Sequence, residues 1–306
     1  MPRKCWPRCR RRRIAGMSEQ PKVGTAVLRV LQSADPATKV MAARRAAREW
    51  RLGRLAHEFD ETMPDMPARP DRPLLLDPRE MPRRGTGTSI PRRIALIHAL
   101  AHIEFVAIDL AFDMIGRFGS QFPREFTDDW MRVGADEAMH FVLLDRRLRA
   151  LDSSYGALPA HDGLWDAAKQ TAYDASARLA IVPMVLEARG LDITLQTVER
   201  FRQQGDPMTA KVLNRIFHDE INHVSFGTKW FEFACERINL PPHAHWRQLV
   251  KTHFKGGLKP PFNDSARRAA GLTHEYYSGI ELLTNMNLHL SQRRTGEKVP
   301  PKSSTP

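Results

Sequence analysis

Two copies of one pattern constrain this chain more than anything else in it: a lone glutamate, then Asp-Glu-x-x-His with its glutamate thirty-three positions further on. The first copy runs from Glu104 to Asp136-Glu137-Ala138-Met139-His140, the second from Glu187 to Asp219-Glu220-Ile221-Asn222-His223. In a chain with 12 His, chance supplies roughly 0.6 Glu-x-x-His matches, and roughly 0.04 once Asp must stand in front. Two in register with two isolated glutamates is therefore a signal.

Each acid interrupts an apolar stripe of helical period. Around Glu104 the stripe holds Ile97, Leu100, Ala101, Ala107, Ile108, Ala111 and Ile115. Val133, Phe141, Leu144 and Leu148 flank Glu137 and His140, while Ala180, Met184 and Leu191 line up with Glu187. Leu213, Ile216, Val224 and Phe231 flank Glu220 and His223. The stripes predict helices over about 92–118, 124–151, 162–190 and 207–239, with essentially no strand pattern elsewhere. Four helices of that length joined by short links pack most economically as an all-α antiparallel bundle with their stripes inward. The link around 152–161 is the natural crossover.

Positions three apart on a helix share a face, so Glu and His at that spacing reach one cation from one side. Four buried carboxylates alone would each cost several kcal/mol, whereas two divalent cations balance them. Carboxylate ligands with one imidazole per metal suit iron or manganese better than structural zinc. The expected metal ligands are Glu104, Glu137, His140, Glu187, Glu220 and His223, with bridging carboxylates from the Glu-x-x-His helices. Asp136 and Asp219 stand one step round the helix, placed to accept the outer N–H of a histidine across the site.

The rest of the chain frames this core. The formal net charge of +12 falls to +5 without the seven Lys/Arg of residues 1–16, which fit an upstream translation artefact before Met17 as well as a functional arm, and do not decide the function. Residues 1–21 read as a disordered tail. Residues 22–91 give one or two helices, with Asp35-Pro36 as a start signal, and then a proline-rich strap from Met63 to Pro91. Residues 92–239 form the bundle, and 240–306 a C-terminal extension with a helix around 272–292 and a frayed end. No run reaches the roughly 18 uninterrupted apolar residues of a membrane span, and three cysteines make no disulfide framework. A reducing cytoplasm is the expected compartment.

The ligand pattern resembles the ferritin-like di-iron carboxylate proteins, which include ferritins, rubrerythrins, acyl desaturases, bacterial hydroxylases and a tRNA-modifying hydroxylase. The flanking text, His98-Ala99-Leu100-Ala101-His102-Ile103-Glu104, Leu186 through Asp192 and Ile216 through Trp230, is similar to a bacterial ferritin-like family known as domain of unknown function 455 (DUF455), over about residues 24–272. The resemblance implies a ferritin-like fold and two iron ions, with Fe/Mn or two manganese ions as alternatives, and no substrate.

A carboxylate-held iron pair activates dioxygen, so the leading expectation is an oxidase or hydroxylase of a small molecule or modified nucleoside. Its partners would be dioxygen, that substrate and an electron-donor protein; no membrane is expected, and of nucleic acids only tRNA stays open. Iron handling as a ferroxidase is the second class, although the long flanking segments would cover the surfaces through which cages assemble. A non-enzymatic, metal-stabilised helical module is the third. Tyr173 lies fourteen residues before Glu187, too far for a radical site, and a rubrerythrin-like Cys-x-x-Cys is missing.

Other polar residues read more plainly. His98 and His102 face away from Glu104 and are expected as a packed, hydrogen-bonded pair. His243 and His245 sit among prolines, where a loop is expected. Pro183, one turn before Glu187, should kink the third helix, either opening coordination space or merely packing. Arg44, Arg45, Arg48 and Arg51 read as a solvated face, and Arg178 and Arg189 as ion-pair partners of Asp174 or Asp192.

Overall fold

The computed structural model describes residues 20–82, 89–255 and 257–279, and it is all-α. Among the described residues the only strand-like pairing is two isolated bridges, Lys22 with Ala56 and Leu75 with Ala160. Helices α1 (Val23–Leu31) and α2 (Pro36–Arg51) come first. Asp35 starts α2 by accepting the Thr38 N–H at 2.8 Å, with Pro36 in the first turn where no donor is lost. The proline-rich strap then crosses the surface, tied by the Ala68 N–H to the Leu31 carbonyl at 2.7 Å and by the Leu75–Ala160 bridge.

Helix α3 (Ile90–Phe118) and helix α4 (Arg124–Arg149) follow the sequence pattern closely and pack on each other along their length. The third predicted helix, 162–190, is broken instead. Helix α5 (Gly163–Gln170) ends where the Thr171 hydroxyl turns back to the Ala167 carbonyl. A new helix, α6 (Ala175–Ile181), starts because the Asp174 carboxylate accepts the N–H groups of Ser176 and Ala177 at 2.8 and 3.2 Å. It widens into a π-helical turn, Val182–Glu187, and continues as α7 (Ala188–Gln203). The third core rod is thus α6, π turn and α7, shifted about a dozen residues towards the C-terminus.

Helix α8 (Pro207–Arg237), capped by Asp206, packs against α4 on one side and against that rod on the other. Helices α9 (Pro242–His253), α10 (Asp264–Ala269) and α11 (His274–Tyr277) close the end against α6, α7 and α8. His243 and His245 lie in α9 rather than in a loop, since Pro242 occupies the first helical position, where proline is favoured. The tail before residue 20 and most of the helix expected over 272–292 lie outside the described residues.

By length and composition, the stretch Ile90–Gln121 is apolar enough to cross a membrane, which simple counting of uninterrupted runs did not reveal. Two-thirds of its most apolar window is buried inside the chain. On the side of α3 away from Glu104, buried Asp109 takes Lys39 of α2 and Arg69 of the strap, and buried Asp113 takes Arg178 of α6 at 2.6 Å and Arg117 at 2.7 Å. A helix read as one amphipathic stripe is therefore enclosed all round from Glu104 to Ile115. Its second face is charged and paired.

Candidate metal centre

The four acid-bearing elements bring all six expected ligands to one place. Glu104, Glu137, His140, Glu220 and His223 are buried, and Glu187 is half-buried. Glu137 stands between the two imidazoles, with Oε1 at 2.9 Å from His223 Nδ1 and Oε2 at 3.4 Å from His140 Nδ1. Glu104 Oε2 lies 3.3 Å from His140 Nδ1, and Glu220 Oε2 lies 3.5 Å from His223 Nδ1. The ring centres are 5.8 Å apart. One ligand atom each from Glu104, Glu137, His140 and Glu220 falls within 4.8 Å of the others, close enough to share one ion.

The outer nitrogens cross over. His140 of α4 meets Asp219 of α8 at 3.0 Å, and His223 of α8 approaches Asp136 of α4 at 3.6 Å. Asp219 also accepts from Arg215 Nε at 2.6 Å. The aspartates preceding the two Glu-x-x-His pairs thus face each other's histidines. With its outer nitrogen bonded to a carboxylate, His140 aims Nδ1 inward at the glutamates.

Glu187 reaches the cluster through the π turn. Pro183 has no N–H for the regular ladder, and the wider turn absorbs that loss. Opposite it, Gly227 of α8 leaves room for the ring: a Cβ there would lie 2.5 Å from Pro183 Cβ and 2.6 Å from Cγ. The proline read in the sequence as a kink thus becomes a π turn that ends on a carboxylate of the cluster.

Burial and like charge set the protonation of the bare cluster. Burial, reinforced by the neighbouring Glu137, pushes Glu104 well above the usual carboxylate range, and burial with Glu220 and Glu137 does the same to Glu187. Burial also acts to raise Glu137, but the imidazoles of His223 and His140 outweigh it and hold that carboxyl below its usual range. Burial works against charge on the histidines. Asp219, Glu104 and Glu137 nevertheless raise His140, and Glu220, Glu137 and Asp136 raise His223. The cluster therefore holds protons that a cation would displace.

Whether these residues fit a metal is answered by their unmet bonds. Both carboxylate oxygens of Glu137, Oε2 of Glu187 and of Glu220, Nδ1 of His140 and both ring nitrogens of His223 are buried without a hydrogen-bond partner. Buried polar atoms left this way are rare and costly, and here all but the outer Nε2 of His223 are lone-pair donors turned to one centre. Oxygen and imidazole donors in that ratio fit iron or manganese.

A cavity of about 200 Å³ opens onto this centre. Glu104, Glu137, Glu187 and Glu220 line one part of it, and Leu100, Ile103, Leu110, Val182, Leu213 and Ile216 are among its apolar walls. Helix α7 adds Arg189, Gly190, Ile193, Thr194 and Thr197 to the lining. The sequence reading missed this wall because it ended the third helix at residue 190. A stripe count carried past Leu191 would have found it.

The remaining candidates separate from the centre. His98 Nε2 accepts the Gly156 N–H at 3.0 Å, His102 Nδ1 meets the Tyr155 hydroxyl at 2.9 Å, and both rings stack on Tyr155. Arg178 pairs with Asp113, not Asp174, because burial of its guanidinium demands a buried partner. Arg189 lies 3.5 Å from Asp192 and donates to the carbonyls of Lys259 and Pro261. Arg44, Arg45, Arg48 and Arg51 are exposed, as is Tyr173.

Fold and site together define an all-helical protein with a buried carboxylate and histidine cluster shared by four of its helical segments. The chain belongs to the family described as Protein of unknown function (DUF455), whose model matches residues 32–278 and so takes in every residue of the cluster. It is 38% identical over 227 residues to an uncharacterised protein of Haemophilus influenzae (strain ATCC 51907 / DSM 11121 / KW20 / Rd), covering 71% of this chain and 78% of that protein. No solved structure matches.

Proposed function

We propose that this is a ferritin-like di-iron carboxylate protein, with iron/manganese or two manganese ions as alternatives, that uses dioxygen to oxidise a small molecule. The observation that carries the reading is the crossed pairing of His140 with Asp219 and of His223 with Asp136 around a set of buried, unpartnered donors. Glu104, Glu137 and His140 would hold one ion and Glu187, Glu220 and His223 the other, with Glu137 placed to touch both. Ferrous ions held by these residues would supply the electrons for dioxygen activation.

The chain's own residues do the rest. Asp219 and Asp136 orient the imidazoles, and the π turn delivers Glu187 to the cluster. The apolar walls exclude water from the reacting face. For a hydroxylation, one oxygen atom enters the product and the other leaves as water, consuming two electrons and two protons from an external donor. A closed module has no use for a cavity at its carboxylates, so the opening favours an oxidase or hydroxylase over a purely structural centre. A reducing cytoplasm suits ferrous ions and the free, buried Cys235.

Anaerobic titration with ferrous iron, followed by oxygen, tests this. Wild type is expected to take up two ions per chain, and Glu104→Ala and Glu220→Ala fewer. Asp219→Asn should weaken binding about 10- to 100-fold, as loss of a group that orients a ligand does. Equal iron contents in wild type and the ligand variants would remove the metal assignment. Mineral growth after oxygen would make the protein an iron-storage device, and an inert loaded centre would make it a structural module.

A further inference from the structure

Resting on that reading of the centre, we infer that the cavity beside it selects a small, uncharged, apolar molecule, of the size of a short-chain alkylbenzene, and rejects anionic, phosphate-bearing and nucleoside substrates. Size sets the first limit. An apolar cavity of about 150 Å³ accommodates benzene, so about 200 Å³ takes a ring and a few further carbons within its walls, while a base joined to a sugar would extend beyond them.

Charge sets the second limit. Four glutamates line the inner part of the cavity, which repels an anion before any metal is bound and leaves no surplus positive charge once two divalent ions balance them. The cation on the described lining, Arg189, turns its Nη1 away to the carbonyls of Lys259 and Pro261, 3.5 Å from Asp192. Among the described residues of the lining that one guanidinium faces four carboxylates, and no second cation stands beside it to clamp a carboxylate or phosphate.

Polarity sets the third. Beyond the glutamates and Arg189, the side-chain polarity of the lining is two hydroxyls, of Thr194 and Thr197, and the Thr197 hydroxyl already donates to the Ile193 carbonyl at 3.1 Å. A purine or pyrimidine edge would lose several hydrogen bonds to water and regain about one. An alkyl or aryl group loses none.

Gly190 keeps this space open. It lines the cavity in the interior of a continuous helical rod, and a Cβ built on it meets nothing within 4 Å. A side chain there starts into open space at the mouth, its Cβ displacing no neighbour. Ile193, one turn on and 39% exposed, offers a second blocking position at little risk to folding.

The test uses the full chain, metal-free and loaded with Mn(II), and butylbenzene, benzoate, adenosine and inorganic phosphate as probes. Saturation-transfer NMR on the metal-free protein reads binding. Relaxation of probe protons by bound Mn(II), with manganese content measured separately, reads closeness to the centre. Butylbenzene is expected to bind and relax strongly, to lose at least tenfold in affinity in Gly190→Phe and Ile193→Trp, and to outcompete the polar probes. Preference for benzoate, phosphate or adenosine, or no butylbenzene binding at all, overturns the inference while manganese content still decides the metal centre. Binding without relaxation in manganese-loaded protein also overturns it, by placing the probe elsewhere. Butylbenzene binding blocked by both variants in a protein that takes up no metal keeps the cavity assignment and removes the metal reading instead.

Discussion

At the residue scale, the chain separates histidines that must be able to carry a proton from one that must not. His140 and His223 face glutamates on one side and an aspartate on the other, and remain chargeable in spite of burial. His102 has burial first, then Arg69 and neighbouring histidines, against its charged form, and its value falls from 6.5 to about 3. The sign follows from linkage. Between those limits the unfolded chain binds a proton that the folded one refuses, so His102 costs stability as pH falls below 6.5, by roughly 1.4 kcal/mol per pH unit. Urea unfolding of wild type and His102→Gln at pH 7 and pH 4.5 isolates this contribution: wild type should lose roughly 2 kcal/mol more on acidification than the variant. Equal losses would place His102 in contact with water. Both the histidines of the cluster and the buried pair turned away from it could be read from the sequence, because helical angle alone separates His98 and His102 from Glu104. The pairing of Asp219 and Asp136 with the histidine across the site was legible too, since each stands one step round its helix from the Glu and His; the unequal distances, 3.0 and 3.6 Å, depend on how α4 and α8 cross.

At the element scale, legibility follows how locally each helix is determined. Helices α3, α4 and α8 end within about two residues of their expected bounds, since their start residues and stripes lie in the segment itself. The third rod does not. Its start depends on Asp174 outcompeting the apolar run before it, and its π turn on packing against α8. That packing rests on one small residue. Pro183 is rigid and cannot swing away, so a methyl group on Gly227 must push the two rods apart. Gly227→Ala is therefore expected to cost about 1–3 kcal/mol, in the range of overpacked cores, and to weaken metal uptake by moving Glu187. Urea unfolding paired with iron titration checks both. Gly190→Ala is the control, because it meets open space in a helix and should stabilise by up to about 1 kcal/mol with metal uptake unchanged. If both variants behave alike, the close approach of Pro183 to α8 is not what positions the third rod.

At the scale of the whole molecule, α3 is the shared wall between two polar interiors with different electrostatic solutions. On one side Asp109 and Asp113 are each met by two cations, Lys39 and Arg69 or Arg117 and Arg178, from α2, the strap, α3 itself and α6, so the buried acids find their counter-charges within the protein. On the other side four glutamates face two histidines, and the balance is left to protons or to cations. Filling that second interior also joins the two halves of the chain, because Glu137 of the first hairpin lies between His140 and His223 and each histidine meets the aspartate of the other hairpin. Metal should therefore stabilise the fold as a unit. At free metal about 100-fold above its dissociation constant the gain is about 2.7 kcal/mol, which for a domain of this size corresponds to a rise in Tm of roughly 5–10 °C. Calorimetry with Fe(II) under anaerobic conditions, or with Mn(II), should show that rise, and a chelator should reverse it. The shift should shrink as pH is lowered, because Glu104, Glu187 and both histidines hold their protons more firmly than in the unfolded chain and must release them to bind metal. Glu137→Ala, which removes the carboxylate lying between the imidazoles, should abolish the dependence of Tm on metal concentration. A Tm indifferent to metal in wild type would mean that protons alone balance the second interior, and the cluster would then be a buried acid network with no ion to hold.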